Sequence, residues 1–563
     1  MLDSDSLLQV FSHYRLQQEE NWNLRLMWRR LAHICQRWRY LIYNSPSFLD
    51  LCLFLRNDSP SIDTLRHLPP IPLVIDYSSL TRTITQKDGD NIHFGLQQHR
   101  RVRRVDLQAP SSHFRMWLLQ MNQLYPKLTE LSLLSTTTEE MSLVLPDTFQ
   151  APDLRHLALH GISLSTRSPS LLSSAITIST LSLTHIGASS YISPGHLVEQ
   201  LQGLPHLEEL SIGFAIPIPL PSSDGDLLPP PIPPVSLPTL RRLTFRGVDI
   251  YLDNLVAQIN APVLERLSLT LFFDLTFTLV KLTEFIHRTE GFECLVAKVI
   301  FSEDGACIDA GHHKYDQPYF RPYISKLSLN VYCEPLDWQI DSATQVCTAL
   351  GNIVSVIEEL TVDLNVASIQ SGWEDTLDSM AWFELLLPFI GVKKLHIGFS
   401  LTFELPHALE KIAGGLVLEL LPGLQEIEVQ LEFDHARILL STFFETRESV
   451  GRPVHLSALP ILHEVPGARP RRPPQTRLSP LSHSDLNAMA ESTASRDPFS
   501  VLTGTDQSQG FPFQWPLTDV SSETIFPSSI SIPTSPIDTY VPFNGILEPN
   551  SSRLSPPKIA ITF

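Results

Sequence analysis

A hexamer of the form Leu-x-x-Leu-x-Leu recurs along most of this chain of 563 residues, and no other feature restricts its fold as strongly. Consecutive copies lie 24 to 35 residues apart, as from Leu157 to Leu181 and from Leu360 to Leu395. A series of this kind predicts one structural unit repeated along the chain. The second apolar position of each hexamer falls at Val105, Leu131, Leu157, Leu181, Leu210, Leu243, Leu267, Val299, Leu327, Leu360, Leu395 and Ile427.

Each hexamer has apolar residues at alternating positions, which is typical of a β-strand with one face turned to a core. The residues between hexamers suffice for a helix and two turns, the return path that parallel strands require. The sequence therefore predicts an α/β fold over residues 101–450, a leucine-rich-repeat solenoid of parallel strands with helical returns. In several copies a proline stands two positions before the first leucine, just outside the strand: Pro126, Pro152, Pro205, Pro238, Pro262 and Pro422.

A doubly wound α/β domain is the alternative for this region, since it also alternates short apolar strands with helices. It is disfavoured because no glycine-rich turn from a strand to a helix marks a nucleotide site. Ile71-Pro-Leu73-Val-Ile75 predicts one further strand in a connecting or capping segment, residues 56–100. An insertion at 217–238, dense in proline, and a tail at 451–563, rich in Pro, Ser and Thr, are predicted to be disordered.

Residues 1–55 predict a small helical module. Pro46 ends its main helix, and Asp3 or Asp5 could cap an earlier, shorter one. The main helix is predicted by apolar residues on one face of a 3.6-residue period: Leu31, Ile34, Cys35, Trp38, Leu41 and Ile42. On periodicity alone, this stripe is most simply the core of a small helical subdomain.

The phrase Leu31-x-x-Ile34-Cys35-x-x-Trp38-Arg39, followed by Ser45-Pro46 and Leu49-x-Leu51-x-Leu53, resembles the second half of an F-box. It is most similar to the F-box-like proteins abundant in mushroom-forming fungi, in which a divergent leucine-rich-repeat region follows. The resemblance implies that the helices bind the Skp-type adaptor of a Skp–cullin–F-box ubiquitin ligase. The residues that would form or support this adaptor-binding face are Leu7, Leu8, Phe11, Ile34, Cys35 and Trp38.

The resemblance also implies that the repeats capture a target protein and hold it near a ubiquitin-charged enzyme. The chain would then be an adaptor that catalyses no reaction of its own. Candidate target-binding side chains alternate with the apolar positions of the strands, away from the core: Glu130, Arg155, Glu209, Arg242, Arg266 and Lys394. Their signs alternate from repeat to repeat, so the sequence names no target charge.

The start of the chain departs from the F-box pattern and leaves a second function open. F-boxes usually open with a Leu-Pro-x-Glu phrase, whereas this chain begins Met1-Leu2-Asp-Ser-Asp and keeps only Leu7-Leu8-x-x-Phe11. Either the start is clipped or the box is degenerate. With a degenerate box, the chain is a leucine-rich-repeat scaffold for protein interactions without a ligase role.

Catalytic and metal-binding motifs are not found in the sequence. There is no Gly-x-Ser-x-Gly elbow, no phosphate-binding loop and no His-Glu-x-x-His helix. The densest set of metal-ligating residues is Cys307, His312, His313 and Cys333, but zinc sites use paired ligands at tight spacing. The sequence favours a polar loop between repeats at Glu303 to His313, and we expect no enzyme activity, cofactor or metal.

Composition favours protein partners. The net charge of −19 and the pI of about 5.5 argue against general nucleic-acid binding. Six cysteines without a paired framework predict reduced thiols. The acidic start carries no secretory signal, and charges interrupt the most apolar stretch, Leu267 to Ile286, so we expect no membrane span. We therefore expect a cytoplasmic or nuclear protein.

Overall fold

The computed structural model describes residues 3–16, 27–45, 49, 52–56, 71–78, 83–137, 143–164, 170–217, 234–274, 276–277, 279–313, 323–365, 379–401, 404–412, 420–429 and 433–458. All of them belong to the first of two compact units, Met1–Pro466. Most of the predicted insertion and tail lies outside the described residues. Among the described helices, none has the length and apolar character needed to cross a bilayer.

Helices precede the sheet or stand between its strands along the chain. Those before the first strand are α1 (Ser4–Leu16), α2 (Met27–Ile34) and α3 (Gln36–Asn44). Those that follow are α4 (Gln86–Gln97), α5 (Ser111–Gln120), α6 (Ser170–Ser174), α7 (Pro194–Leu201), α8 (Asp249–Ala257), α9 (Val280–Arg288), α10 (Leu336–Ala349), α11 (Gly351–Val354), α12 (Ser379–Leu386), α13 (Glu404–Ile412), α14 (Phe433–Leu439) and α15 (Ser441–Ser449). Short 3₁₀ helices span Ala188–Ser190 and Phe399–Leu401.

The strands are short, as expected for repeated hexamers. They are β1 (Leu53–Leu55), β2 (Leu73–Tyr77), β3 (Val102–Ala109), β4 (Glu130–Ser135), β5 (Leu143–Val144), β6 (His156–His160), β7 (Ile162–Ser163), β8 (Thr180–Ile186), β9 (Glu209–Phe214), β10 (Val235–Ser236), β11 (Arg242–Gly247), β12 (Ile259–Asn260), β13 (Arg266–Phe272), β14 (Val296–Ser302), β15 (Gly305–His313), β16 (Tyr323–Tyr332), β17 (Glu359–Leu364), β18 (Lys394–Ile397), β19 (Glu426–Val429) and β20 (His455–Ala458).

One 16-stranded sheet dominates the fold, in the order β1-β2-β3-β4-β6-β8-β9-β11-β13-β16-β15-β14-β17-β18-β19-β20. All neighbours in it pair in parallel except those of β15. Outside the β14–β16 region, the strands enter the sheet in chain order, unlike a doubly wound sheet, whose order reverses at a switch point. The predicted α/β class, with a large and mostly parallel sheet, is confirmed.

The register of the sheet places the predicted second apolar positions in one row. From Val105 through Leu267, each of these residues is the direct partner of the next along the sheet. The same row continues through Leu360, Leu395 and Ile427 at the other end. All of these side chains are buried in a single core cluster, so one apolar row runs through almost the whole sheet. We call it the buried row.

The recurring prolines lie in turns that lead into the strands. In all six copies the backbone N–H of the first leucine donates to the carbonyl three residues before it, as from Leu128 to Tyr125 and from Leu240 to Leu237. The proline is then the second residue of the turn, a position for which its fixed φ is suited. The first leucine of each copy is buried, so the turn delivers an apolar side chain to the core immediately before the strand begins.

Two predictions fail in the region of β14 to β16. Glu303 to His313 is not a polar loop, because Gly305–His313 forms β15, antiparallel to both β14 and β16. Val299 is not in the buried row, because Ala297 pairs with Leu360 and takes that place. The strand after β13 in the sheet is β16, whose Leu327 pairs with Leu267. The reason is non-local pairing: the β14–β15 hairpin inserts between two parallel blocks.

A glycine makes the tight link between β14 and β15 possible. Gly305 has a φ of +152°, a conformation that residues with side chains rarely adopt. A Cβ there would lie 2.0 Å from the carbonyl oxygen of Val331, on the neighbouring strand β16. The hairpin therefore depends on the absence of a side chain at this position.

The boundaries of the predicted disordered segments need correction. Residues 455–458 form β20, and Leu456 pairs with Ile427 to extend the buried row. Val235 and Ser236, inside the predicted insertion, form β10 and pair with Ile259 and Asn260 of β12. In both places the alternation of apolar and polar residues resumes after a proline, and partners on the next strand satisfy the backbone.

We predict that Gly305→Ala lowers the stability of the chain by more than about 1 kcal/mol, because an alanine there cannot keep the native φ and meets the Val331 carbonyl. Urea unfolding, followed by circular dichroism, measures this change. Gly89→Ala is the matched control: Gly89 lies in α4, and a Cβ added there would have no neighbouring atom within 4 Å. The helical glycine should gain roughly 0.5–1 kcal/mol on the same change. Equal effects of the two substitutions would contradict the assigned role of Gly305.

Candidate functional site

The N-terminal helices form a unit with its own apolar cluster, separate from the core of the sheet. Leu7 and Phe11 of α1 are buried in it, together with Ala32 of α2 and Ile42 of α3. Phe11 also packs edge-on against Trp38, with ring centroids 4.8 Å apart. Asp3 caps the start of α1, because its carboxylate accepts a hydrogen bond from the Ser6 N–H at 2.7 Å. These contacts fix the three helices against one another.

The prediction of a single helix from Leu31 to Ile42 is wrong, because the helix is interrupted at Cys35. That residue has an extended backbone, with φ −156° and ψ 166°, and separates α2 from α3. Its thiol accepts a hydrogen bond from the Trp38 N–H at 3.5 Å and so caps α3. The Arg39 Nε donates to the Ala32 carbonyl at 3.0 Å, which satisfies an acceptor at the end of α2. α3 ends at Ser45, before Pro46, as predicted.

The six predicted adaptor-binding residues fall into three groups according to their burial. Leu7 and Phe11 are buried and can only support a docking surface. Leu8 and Trp38 are half-buried against the cluster. Ile34 and Cys35 face solvent.

Two exposed apolar side chains of the helical unit were missed by the sequence analysis. Val10 of α1 is 51% exposed and Tyr40 of α3 is 69% exposed, beside 59% for Ile34 of α2. Val10 and Tyr40 both lie off the faces that periodicity assigns to the core. Each of the three helices therefore carries at least one exposed apolar residue.

The second candidate surface is the side of the sheet opposite the buried row, which we call the polar face. Five of the six predicted target-binding residues occupy the same position on their strands, one residue before the buried row: Glu130, Glu209, Arg242, Arg266 and Lys394. Arg155 lies one residue earlier, just before β6, and is exposed. The structure therefore brings these five charged residues to one edge of the polar face.

Most of these charges are paired with charges on the next strand. Arg104 contacts Glu130 at 3.2 Å, and Glu209 pairs with Arg242. Lys394 contacts Glu428 at 2.7 Å and Glu426 at 3.5 Å. The alternating signs thus describe pairs across strands, each of which adds little to stability at an exposed site. Among the described residues, Arg155 and Arg266 form no ion pair.

A basic cluster that the sequence analysis missed lies further along the same strands. The imidazoles of His160 and His185 stack with centroids 5.0 Å apart, and the His160 Nδ1 lies 3.0 Å from the Thr184 Oγ1. The Arg246 guanidinium lies over the rings of Phe272, at 5.6 Å, and Tyr332, at 5.3 Å. We call these five residues, His160, His185, Arg246, Phe272 and Tyr332, the basic cluster.

The position of the basic cluster explains why it was missed. His160, Arg246 and the strand positions between them lie three residues after the buried row, just past the last leucine of the hexamer. Extending the alignment of the repeats by one residue would have collected them. His185 would still have been missed, because the pairing of β8 with β9 shifts register there.

Of the densest set of potential metal ligands in the sequence, Cys307, His312 and His313 lie on β15 and Cys333 directly follows β16. The described part of the chain contains no group of three or more His, Cys, Asp or Glu side chains placed to hold a metal. Cys333 is buried, and the Cys307 thiol lies 3.6 Å from the Asp309 Oδ2. Burial, followed by Asp309, raises the pKa of Cys307 to about 12, which disfavours the thiolate that metals bind.

Comparison with known proteins adds a distant structural likeness. The chain matches no protein-family model and no curated protein. Among solved structures it matches a chain in the crystal structure of a Rad7 and Elc1 complex in yeast, at 14% identity and a TM-score of 0.25. The match covers 76% of this chain and 93% of that chain. This TM-score is too low to support an argument about fold or function.

We predict that His160→Gln makes the chain less sensitive to acid. Burial, with His185 and Arg246, lowers the pKa of His160 in the folded state. The unfolded chain therefore takes up this proton first, and stability falls as the pH drops below about 6.5. Urea midpoints at about pH 7.5 and about pH 5.5 measure the loss, which should be smaller in the variant. His206→Gln, at an exposed histidine, is the control, and an equal change in both variants would contradict the prediction.

Proposed function

We propose that this chain is the substrate-recognition adaptor of a Skp–cullin–F-box type ubiquitin ligase. The helical unit binds a Skp-type adaptor, and the sheet with its helical returns is a leucine-rich-repeat solenoid whose polar face binds a target protein. The observation that carries the proposal is the exposure of Ile34 directly before Cys35, inside the phrase that resembles an F-box. Its place of action would be the cytoplasm or the nucleus.

Exposed apolar residues on the helical unit supply a reason for a partner to bind. Removing an isoleucine side chain from water contributes roughly 1.5–3 kcal/mol. Val10 and Tyr40 are further exposed apolar side chains of the unit. Because Leu7 and Phe11 hold the helices together from inside, the exposed side chains are presented on a fixed support.

The large sheet suits the second task, that of holding a target. Its strands are linked by a continuous ladder of backbone hydrogen bonds and one core, so the polar face is a stable surface rather than a set of loops. In the proposed role the chain performs no chemistry. It raises the effective concentration of the target near the enzyme that carries ubiquitin.

A repeat scaffold with a degenerate F-box is the second candidate function. One structural observation favours it: four of the six predicted adaptor-binding residues are buried or half-buried in the helical cluster. Packing alone explains the presence of Leu7, Leu8, Phe11 and Trp38. In that case the helical unit caps the first edge of the sheet and binds no adaptor.

We predict that Ile34→Asp in the full-length chain weakens binding to a purified Skp-type adaptor by more than about tenfold, since it places a charge in the proposed apolar contact. Isothermal titration calorimetry measures the dissociation constant. Because Ile34 is exposed, the substitution should leave the urea midpoint nearly unchanged.

Ile438→Asp is the matched control, since Ile438 is also an exposed isoleucine on a helix, at 71%. Ile438 lies on α14, between the last two strands of the sheet. The variant should bind the adaptor like the unchanged protein. Equal losses in the two variants would contradict the assigned docking surface. A folded, unchanged protein that does not bind the adaptor would favour the scaffold.

A further inference from the structure

In the central part of the polar face, two neighbouring rows of side chains that run across the strands contain no acidic residue. One residue after the buried row, the strands from β4 to β16 present small side chains, mostly hydroxyls: Ser132, Ala158, Ser182, Ser211, Thr244, Ser268 and Ser328. Two residues further along, β6, β11, β13 and β16 present His160, Arg246, Thr270 and Asn330. Acidic residues return on either side, with Asp106 on β3 and Asp309 on β15.

Gly213 of β9 lies beside Arg246 in this acid-free region. It is buried, and a Cβ built on it would lie 3.5 Å from the Thr184 Cγ2 and 3.6 Å from the Arg246 Cβ. Thr184 and Arg246 therefore flank a strand position that carries no side chain.

The backbone of β8 is irregular where it pairs with the end of β9. The pairing with β9 shifts register between Leu183 and Ile186, and His185 has a φ of +57°. A bulge of this kind turns a side chain toward a face that it would otherwise leave. Here it stacks the His185 ring on His160. A left-handed residue costs conformational energy, and such residues cluster at binding sites.

Arg246 differs from Arg241 and Arg242, at the start of the same strand. Arg241 pairs with Glu265 and Arg242 with Glu209, whereas Arg246 has no acidic partner among the described residues. It is exposed, and the rings of Phe272 and Tyr332 support its guanidinium. Its charge is therefore held in place but not neutralised. Planar guanidinium groups in this state bind carboxylates through two parallel hydrogen bonds.

We propose that the basic cluster is a binding site for an aspartate or glutamate side chain in an extended segment of a partner protein. Arg246 takes the carboxylate, and the hydroxyl row supports the backbone of the segment. The inference rests on the proposed function, since the segment belongs to the target protein that the polar face would hold.

A carboxylate fits the charge of this site better than a phosphate. His160 is held toward its neutral form, because burial, His185 and Arg246 all lower its pKa. Arg246 is then the main positive charge, which matches one carboxylate rather than a phosphate with nearly two negative charges. Elsewhere the protein, with its net charge of −19, repels acidic segments, so the cluster selects the position at which one can bind.

Fluorescence anisotropy with the full-length chain tests this site. The probes are amidated Gly/Ser peptides with a neutral dye and one central glutamate, glutamine or phosphoserine. We expect the glutamate peptide to bind at least about tenfold tighter than the glutamine peptide, because only the carboxylate neutralises Arg246. Equal binding of these two, or no binding of the glutamate peptide, would overturn the proposal. Tighter binding of the phosphoserine peptide would overturn the choice of a carboxylate.

Variants of arginine locate the site. Arg246→Met keeps an apolar side chain over the two rings but removes the charge, and should weaken binding of the glutamate peptide about tenfold or more. Arg155→Met removes the same charge from an exposed arginine just before β6 that forms no ion pair among the described residues, and should change binding less than about twofold. Equal losses would indicate a general effect of charge and overturn the site.

The adaptor titration separates this proposal from the proposed function. Arg246→Met should bind a Skp-type adaptor like the unchanged protein, because Arg246 is on the sheet and Ile34 on the helical unit. Peptide binding without adaptor binding would retain the carboxylate site and remove the ligase role. Adaptor binding without peptide binding would do the reverse.

Discussion

The structure depends on one row of apolar side chains that must lie side by side across a parallel sheet. A single strand–helix unit cannot bury its leucines, and stacking on both neighbours completes the burial. The row begins at Leu55, pairs through Ile75 and Val105, and reaches Leu456 on the last described strand. The charge pairs and the basic cluster take their positions from strands that this row fixes.

The sequence predicted the parallel strands well where leucine spacing and proline turns agree, because both signals are local. It was wrong at Val299, since Cys294-x-x-Ala297-x-Val299 and Val296-x-x-Val299-x-Phe301 both fit the hexamer, and the native register places the small Ala297 in the row. It did not predict β15, whose buried residues are Ala306, Ile308 and Ala310. The place of that strand follows from pairing with distant residues, which a hexamer pattern does not record.

The candidate sites were predicted in part. Periodicity found the apolar residues of the helical unit but not the break at Cys35, because a cysteine that caps a helix leaves the spacing of its neighbours unchanged. The charged positions of the polar face were found, yet their alternation in sign reflects pairs such as Glu209 and Arg242. The basic cluster needed two further facts, the register of the sheet and the bulge at His185.

The inverted order of β14, β15 and β16 has a consequence for how the chain folds. Most neighbouring strands are joined by one short return, so each can add to the edge that the last one left. The edge that β13 leaves, however, stays unpaired until β16 is synthesised, because Leu327 of β16 follows its partner Leu267 by 60 residues. During synthesis an unpaired parallel edge therefore stays open while the hairpin forms, and this is the stage at which the chain is most exposed to aggregation.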